Sequence, residues 1–190
     1  AESYEPGNII ERDTFIVVNT NDTVRKPEIE LERDYLPASF SIGGAYRLNE
    51  RTTLKLNLSS GFTAPNYAQL GAFGKHEGAY RFETGNTALS VEENIQGDFG
   101  AAWSGDYFSV DVSLFRNQIS DYIYLGNTGK TMVQSRPSGR DTLPIYEYLQ
   151  KDAVFQGGEL IFDLHAPPLK WLDMKAAYAY LDARLSDNRS

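Results

Sequence analysis

Cysteine is absent from the 190 residues, which removes disulfide frameworks, thiolate zinc sites and cysteine nucleophiles together. Long apolar runs are absent as well: no stretch approaches the ~20 apolar residues of a membrane helix. The first residues, Ala1-Glu2-Ser3-Tyr4-Glu5-Pro6, have neither a basic start nor an apolar core, so any export signal lies outside this chain. Positive charge is in deficit. Against 26 Asp+Glu there are 18 Lys+Arg, giving a net charge of -8 and a pI of about 4.8. Nucleic acid is therefore excluded as a partner, because nothing here would track phosphates. Neither a Gly-x-x-x-x-Gly-Lys phosphate cradle nor a Gly-x-Ser-x-Gly elbow occurs. Sustained helical spacing is also missing.

What the chain does have is 41% apolar and 13% aromatic residues, enough for one generous domain, and a repeated alternation of apolar with polar. Period two marks strands whose two faces meet different surroundings. Residues 14–19 are a short apolar run whose faces cannot be assigned. Residues 38–48 place Phe40, Ile42, Tyr46 and Leu48 opposite Ser39, Ser41 and Arg47. After the turn Asn49-Glu50-Arg51, Leu54, Leu56, Leu58 and Phe62 alternate with polar residues including Lys55, Asn57 and Ser59, which predicts an antiparallel hairpin. A second hairpin joins residues 94–103 (Ile95, Phe99 and Trp103 facing one way) to 107–116 (Phe108, Val110, Val112 and Leu114) through Ser104-Gly105-Asp106. Residues 148–165 and 171–181 repeat the pattern across the short link Ala166-Pro167-Pro168-Leu169-Lys170.

Between these runs lie two long excursions read as loops, 63–90 with little periodicity and with Gly71, Gly74, Gly78 and Gly85, and roughly 126–146 with Gly126, Gly129, Pro137, Gly139 and Pro144. Loops that long need a task of their own. Connections that alternate short and long around strands of about ten residues predict an all-β fold of antiparallel up-and-down strands. Such strands form part of a transmembrane β-barrel with short turns on one side and long loops on the other. Aromatic strand ends at Tyr46, Phe62, Trp103, Tyr107, Tyr178 and Tyr180 suit membrane interfaces. Lys55, Asn57, Asp98, Asp111, Asp173 and Lys175 would face the interior. The alternative is a soluble β-sandwich that binds carbohydrate or serves adhesion, with its apolar faces as core.

Candidate chemistry is sparse. His76, Glu77 and the distant His165 do not make a converging ligand set, so no metal site is expected. Glu92 and Glu93 are adjacent on a strand and point to opposite faces, which is not hydrolase geometry. The first long loop holds Tyr67, Phe73, Tyr80 and Phe82, rings able to stack on a sugar or an iron chelate, though loop packing is their commoner role. With His76 and Arg81 they form the candidate ligand-binding set. Arg81 and Glu83 flank Phe82 on one side of an extended segment, so an ion pair that orders the loop is as plausible as ligand contact.

Gly61-Phe62-Thr63-Ala64-Pro65-Asn66, then Arg81-Phe82-Glu83-Thr84-Gly85-Asn86 with Leu89-Ser90-Val91-Glu92, resembles the TonB-dependent outer-membrane receptors. In that family a Gly-Phe-Arg-Ala-Pro-type strand end leads to an Arg-(Phe/Tyr)-Glu-x-Gly-(Asn/Asp)-x-x-Leu-x-x-Glu loop. Phe115-Arg116-Asn117-Gln118-Ile119-Ser120-Asp121-Tyr122-Ile123, Tyr148-Leu149-Gln150-Lys151-Asp152-Ala153 and Gly157-Gly158-Glu159 are also similar to the family, so the likeness covers 38–181. Thr63 stands where the family has arginine, so any inward interaction of that guanidinium is missing or made by another residue. The resemblance implies a plugged barrel of about 22 strands, against about seven strand candidates here, so residues 1–190 would be part of a barrel domain without its plug. It also implies a bacterial outer-membrane location and no enzymatic activity or cofactor. The implied task is import of a scarce solute such as siderophore-iron, cobalamin, haem or oligosaccharide, driven by TonB through regions outside this chain. Outer-membrane lipid would cover the apolar faces. In water an isolated segment would leave those faces and two sheet edges open, so aggregation, detergent, self-association or curling of the sheet are its options.

Overall fold

The computed structural model describes residues 15–17, 22–24, 35, 38–76, 78–136, 139–165 and 171–186. The short link 166–170 expected from the sequence and residues 187–190 lie outside the described residues, as do Glu77, Pro137 and much of the 14–19 run. The chain divides into two compact units. The first comprises Ala1–Arg33, Asn66–Ala88 and Leu125–Leu149; the second Asp34–Pro65, Leu89–Tyr124 and Gln150–Ser190.

The second unit is built of long antiparallel strands. Strand β3 (Phe40–Asn49) turns through Glu50 and Arg51 into β4 (Thr52–Thr63), and β4 pairs with β7 (Glu92–Ser104). Next come residues 108–124 of β8 (Phe108–Arg136) and residues 150–165 of β9 (Gly139–His165), with β10 (Asp173–Leu185) on the far side of β9. The register puts like with like. Tyr46 pairs with Leu54, Ile42 with Leu58, Leu56 with Phe99, Phe99 with Leu114, and Tyr178 with Leu160. On the opposite face Asn57 meets Asp98, and Lys175 meets Asp163. Alternation therefore runs through the whole sheet, as a two-solvent sheet requires.

Among the described residues nothing covers the apolar face. Ile42 is 69% exposed and Leu56 65%, and Phe99, Leu114 and Leu160 are exposed as well. A soluble sandwich would bury these side chains. The polar face carries cross-strand bonds. The Ser41 hydroxyl donates to Asn57 Oδ1 (3.1 Å), Asn57 Nδ2 to Asp98 Oδ2 (3.2 Å), and Asn94 Nδ2 to Asn117 Oδ1 (3.1 Å). At the short-turn end Arg51 grips both oxygens of Asp106 at 3.0 and 3.1 Å, joining two adjacent turns. Trp103, Phe108 and Phe162 stack in series nearby, with centroids 4.7 and 5.5 Å apart.

The two long stretches are not structureless. In the first unit, residues 63–90 contain a short helix, α1 (Tyr67–Gly71), and a hairpin of β5 (Phe73–His76) with β6 (Arg81–Thr84). Two short strands, β1 (Phe15–Val17) and β2 (Asp22–Val24), pair with each other, and β1 also pairs with β8 at Val133 and Met132. Residues 126–136 and 139–146 prolong strands, so β8 and β9 are 29 and 27 residues long. Gly126, Gly129 and Pro144 suggested breaks in the sequence, but the ladder absorbs them. Gly129 takes a left-handed φ of 73° while its N–H donates to Asn127 Oδ1 (2.8 Å), the kind of local irregularity that a strand tolerates.

Candidate functional site

The first unit holds every one of the six ligand candidates, and its geometry starts at Asn66. Asn66 Oδ1 accepts the Gln69 N–H (2.9 Å), and Gln69 Oε1 accepts the Asn66 N–H (2.8 Å). This reciprocal capping box starts α1 directly after Pro65. The helix buries Leu70 and shows Tyr67 to solvent at 83% exposure. Its far end meets Gly85, whose N–H donates to the Ala72 carbonyl (2.6 Å), and Asn86 N donates to Gln69 O (2.9 Å). A Cβ on Gly85 would sit 2.6 Å from the backbone of Leu70, Gly71 and Ala72. Only glycine permits that approach.

Strand β6 lies parallel to β9, with Phe82, Glu83 and Thr84 opposite Ile145, Tyr146 and Glu147. Phe82 is fully buried among Met132, Leu143 and Ile145, and Phe73 meets its ring edge-on at 5.1 Å. Two of the six candidates are thus core, and as placed Phe82 has no surface for a ligand. Arg81 Nε pairs with Glu83 Oε1 at 2.7 Å, and the guanidinium lies 5.2 Å from the Tyr146 ring centroid, so the ion pair anticipated in the sequence is formed. Thr84 Oγ1 donates to Tyr146 O (3.2 Å) and Asn86 Nδ2 to Tyr148 O (3.1 Å). The segment Arg81-Phe82-Glu83-Thr84-Gly85-Asn86 therefore serves to lock the hairpin to β9 and to α1.

The displayed residues lie elsewhere. Tyr80 occupies the turn between β5 and β6 with a left-handed φ of 44°, is 57% exposed, and has Lys75 Nζ 5.0 Å from its ring centroid. His76 is exposed at the end of β5. Among the described residues no three His, Cys, Asp or Glu side chains gather to hold a metal. Tyr146 is hidden in the sequence because 126–146 looks like a loop, and its alternation with Ile145 and Glu147 is the available signal; Tyr148 opens the run 148–165 that the sequence already marks as strand. Burial holds the Tyr148 phenol above its ordinary value, Glu83 adds to this, and Arg81 partly offsets it.

The second unit offers a different feature, a groove of about 660 Å³ in which Lys55, Asn57, Gln96, Asp98, Ser113 and Asn117 share the wall with the apolar Leu56, Phe99, Phe115 and Phe155. Lys55, Asn57 and Asp98 are interior-facing residues expected from alternation, and Asn57 and Asp98 are direct partners in register.

Residues 13–190 match the family model for the TonB-dependent receptor-like β-barrel. The chain belongs to the TonB-dependent receptor family. Among solved structures it is similar to the copper transporter OprC, at 20% identity and a TM-score of 0.61, over 91% of this chain and 24% of that one. It is also similar to the siderophore receptor PirA of Pseudomonas aeruginosa, at 20% identity and a TM-score of 0.58, over 77% of this chain and 28% of that one. A variant of the ferric enterobactin receptor PfeA of Pseudomonas aeruginosa, solved with enterobactin, is 26% identical with a TM-score of 0.53, over 75% of this chain and 22% of that one. The chain thus spans about a quarter of the length of these receptors. Its fold is all-β, antiparallel and up-and-down, part of a transmembrane β-barrel.

Proposed function

We infer that this chain is a wall and loop segment of a receptor in the bacterial outer membrane that imports a scarce solute with the help of TonB. The observation that carries this reading is the sheet of the second unit, apolar and uncovered on one face, polar and cross-linked on the other. Lipid on one side and a plug or water on the other satisfies both faces. The segment acts as receptor and conduit, without catalysis of its own; residues 1–190 supply barrel, and the plug and TonB contacts lie in other parts of the receptor. The solute is met by the exposed loop side chains Tyr67, His76 and Tyr80, with Arg81 at the margin. Phe73 and Phe82 hold those side chains in place. Siderophore-iron, cobalamin, haem, oligosaccharide and copper are the solutes to compare, with siderophore-iron and copper suggested by what the similar structures carry.

The test is uptake by cells expressing the parent receptor, with each solute as sole supply. Wild type should restore growth on one class, and the Tyr67→Ala/Tyr80→Ala double variant should lower uptake about tenfold while the receptor still reaches the outer membrane. A product found in the soluble fraction would contradict the reading.

A further inference from the structure

The outward face of the second unit ends in charge, and the charge is organised. Along β8 the outward positions run Phe108, Val110, Val112, Leu114 and then Arg116, so the apolar band stops toward the long-connection side. From Phe108 to Arg116 is about 27 Å of strand at the usual rise, or about 20 Å of membrane at a usual tilt of about 40°. At that level a row crosses three strands. Arg116 Nη1 donates to Gln156 Oε1 (3.0 Å), Gln156 Nε2 to Asp182 Oδ2 (3.2 Å), and Arg184 Nε pairs with Asp182 at 3.0 Å. Asp182 opposes Gln156 in the register, one step beyond Tyr180 opposite Gly158 and two beyond Tyr178 opposite Leu160. The row therefore sits on the same face as the apolar band, at its edge.

The charges in the row do not cancel. Asp182 has Arg184 beside it, whereas Arg116 is held by a neutral amide. Directly below, Leu114, Gly158, Leu160, Tyr178 and Tyr180 line a groove of about 460 Å³ that also reaches Arg116, Gln156 and Glu159, the last on the inward phase of β9, opposite to Leu160. Gly158 is its floor: a Cβ there would come within 2.6 Å of Leu114 Cδ2. An apolar groove that opens at one end onto an exposed guanidinium matches an amphiphile with an anionic head.

We propose that this groove seats one phosphate-bearing membrane lipid, its headgroup on Arg116 with Arg184 alongside and an acyl chain along Gly158, Leu160 and Tyr178. Charge complementarity decides for an anionic lipid over a zwitterionic one. The seat rests on the outer-membrane reading given above.

Native mass spectrometry of the full-length receptor carrying this chain, in detergent, tests it with phosphatidylglycerol and phosphatidylcholine of matched acyl chains. Wild type should retain phosphatidylglycerol with a preference of roughly tenfold. Arg116→Gln should bring the preference close to one, and Gly158→Leu should weaken both lipids. Lys55→Gln, on the inward face, should change neither. Equal retention of the two lipids by wild type, or an unchanged preference in Arg116→Gln, overturns the seat. Displacement of the lipid by glycerol phosphate alone would make the site one for free phosphate and overturns it too. Heat-dependent gel mobility reports barrel formation separately. A chain that forms no barrel overturns the membrane reading as well as the seat, whereas a sound barrel without lipid preference overturns the seat alone.

Discussion

The two units of this chain obey opposite rules for apolar side chains. In the first, Phe82, Met132, Leu143 and Ile145 are buried together, and polar residues clamp the backbone around them. In the second, Leu56, Ile95, Leu114, Tyr178 and Tyr180 are largely exposed in rows, while Asn57, Asp98, Asn94 and Asn117 bond to one another across strands. Both units use period-two strands, so secondary structure does not separate them. What differs is the medium each is built for: the first makes its own apolar interior in water, and the second relies on lipid for the same purpose.

Substitutions that exchange these rules should break the contrast. The largest effect is expected at Phe82→Ala, about 3–5 kcal/mol of lost stability in the first unit, seen as faster hydrogen exchange in β5 and β6 with membrane insertion unchanged. Leu56→Arg should cost about 2–4 kcal/mol of barrel stability when measured by refolding into vesicles. Asn57→Arg, one residue along, should cost clearly less. Equal costs at the two positions would remove the distinction between faces.

The fold of the second unit was legible because alternation survives wherever two media persist along a strand. Leu54, Leu56 and Leu58 against Lys55, Asn57 and Ser59 state both register and face. The first unit was not legible in the same way. Its separate elements are three to five residues long, too short for a period to show, and glycine and proline in 126–146 hid the extension of β8 and β9. The motif Arg81-Phe82-Glu83-Thr84-Gly85-Asn86 carried the resemblance to the family. Its Phe82 is a core residue and its Gly85 a point of close backbone approach, so a family signature here marks what must be built, while Tyr67 and Tyr80 mark what is shown.

Smaller changes sharpen the comparison further. Asn66→Ala removes one half of the capping box of α1 and should cost about 1 kcal/mol, measurable as increased protease cutting near Tyr67 with no loss of barrel. The smallest effect is one of pH. Since the Tyr148 phenol is raised above tyrosine's ordinary 10.0, the folded first unit binds this proton more tightly than the unfolded chain. Its contribution is then complete below pH 10.0 and declines as pH rises from there through the folded value. Tyr148→Phe should flatten that decline in alkaline unfolding curves, and an unchanged curve would count against the burial of this phenol.

The most direct measurement uses the absence of cysteine from this chain. Single cysteines placed in turn at residues 54 to 59 of β4, in the parent receptor reconstituted in bilayers, carry a nitroxide label. Collision with oxygen dissolved in lipid and with a water-soluble nickel chelate is then read at each position. Two media predict that Leu54, Leu56 and Leu58 favour oxygen and Lys55, Asn57 and Ser59 favour the chelate, with period two. Labels at the leucines shielded from both reagents would mean that protein covers this face, and would contradict a lipid-facing sheet.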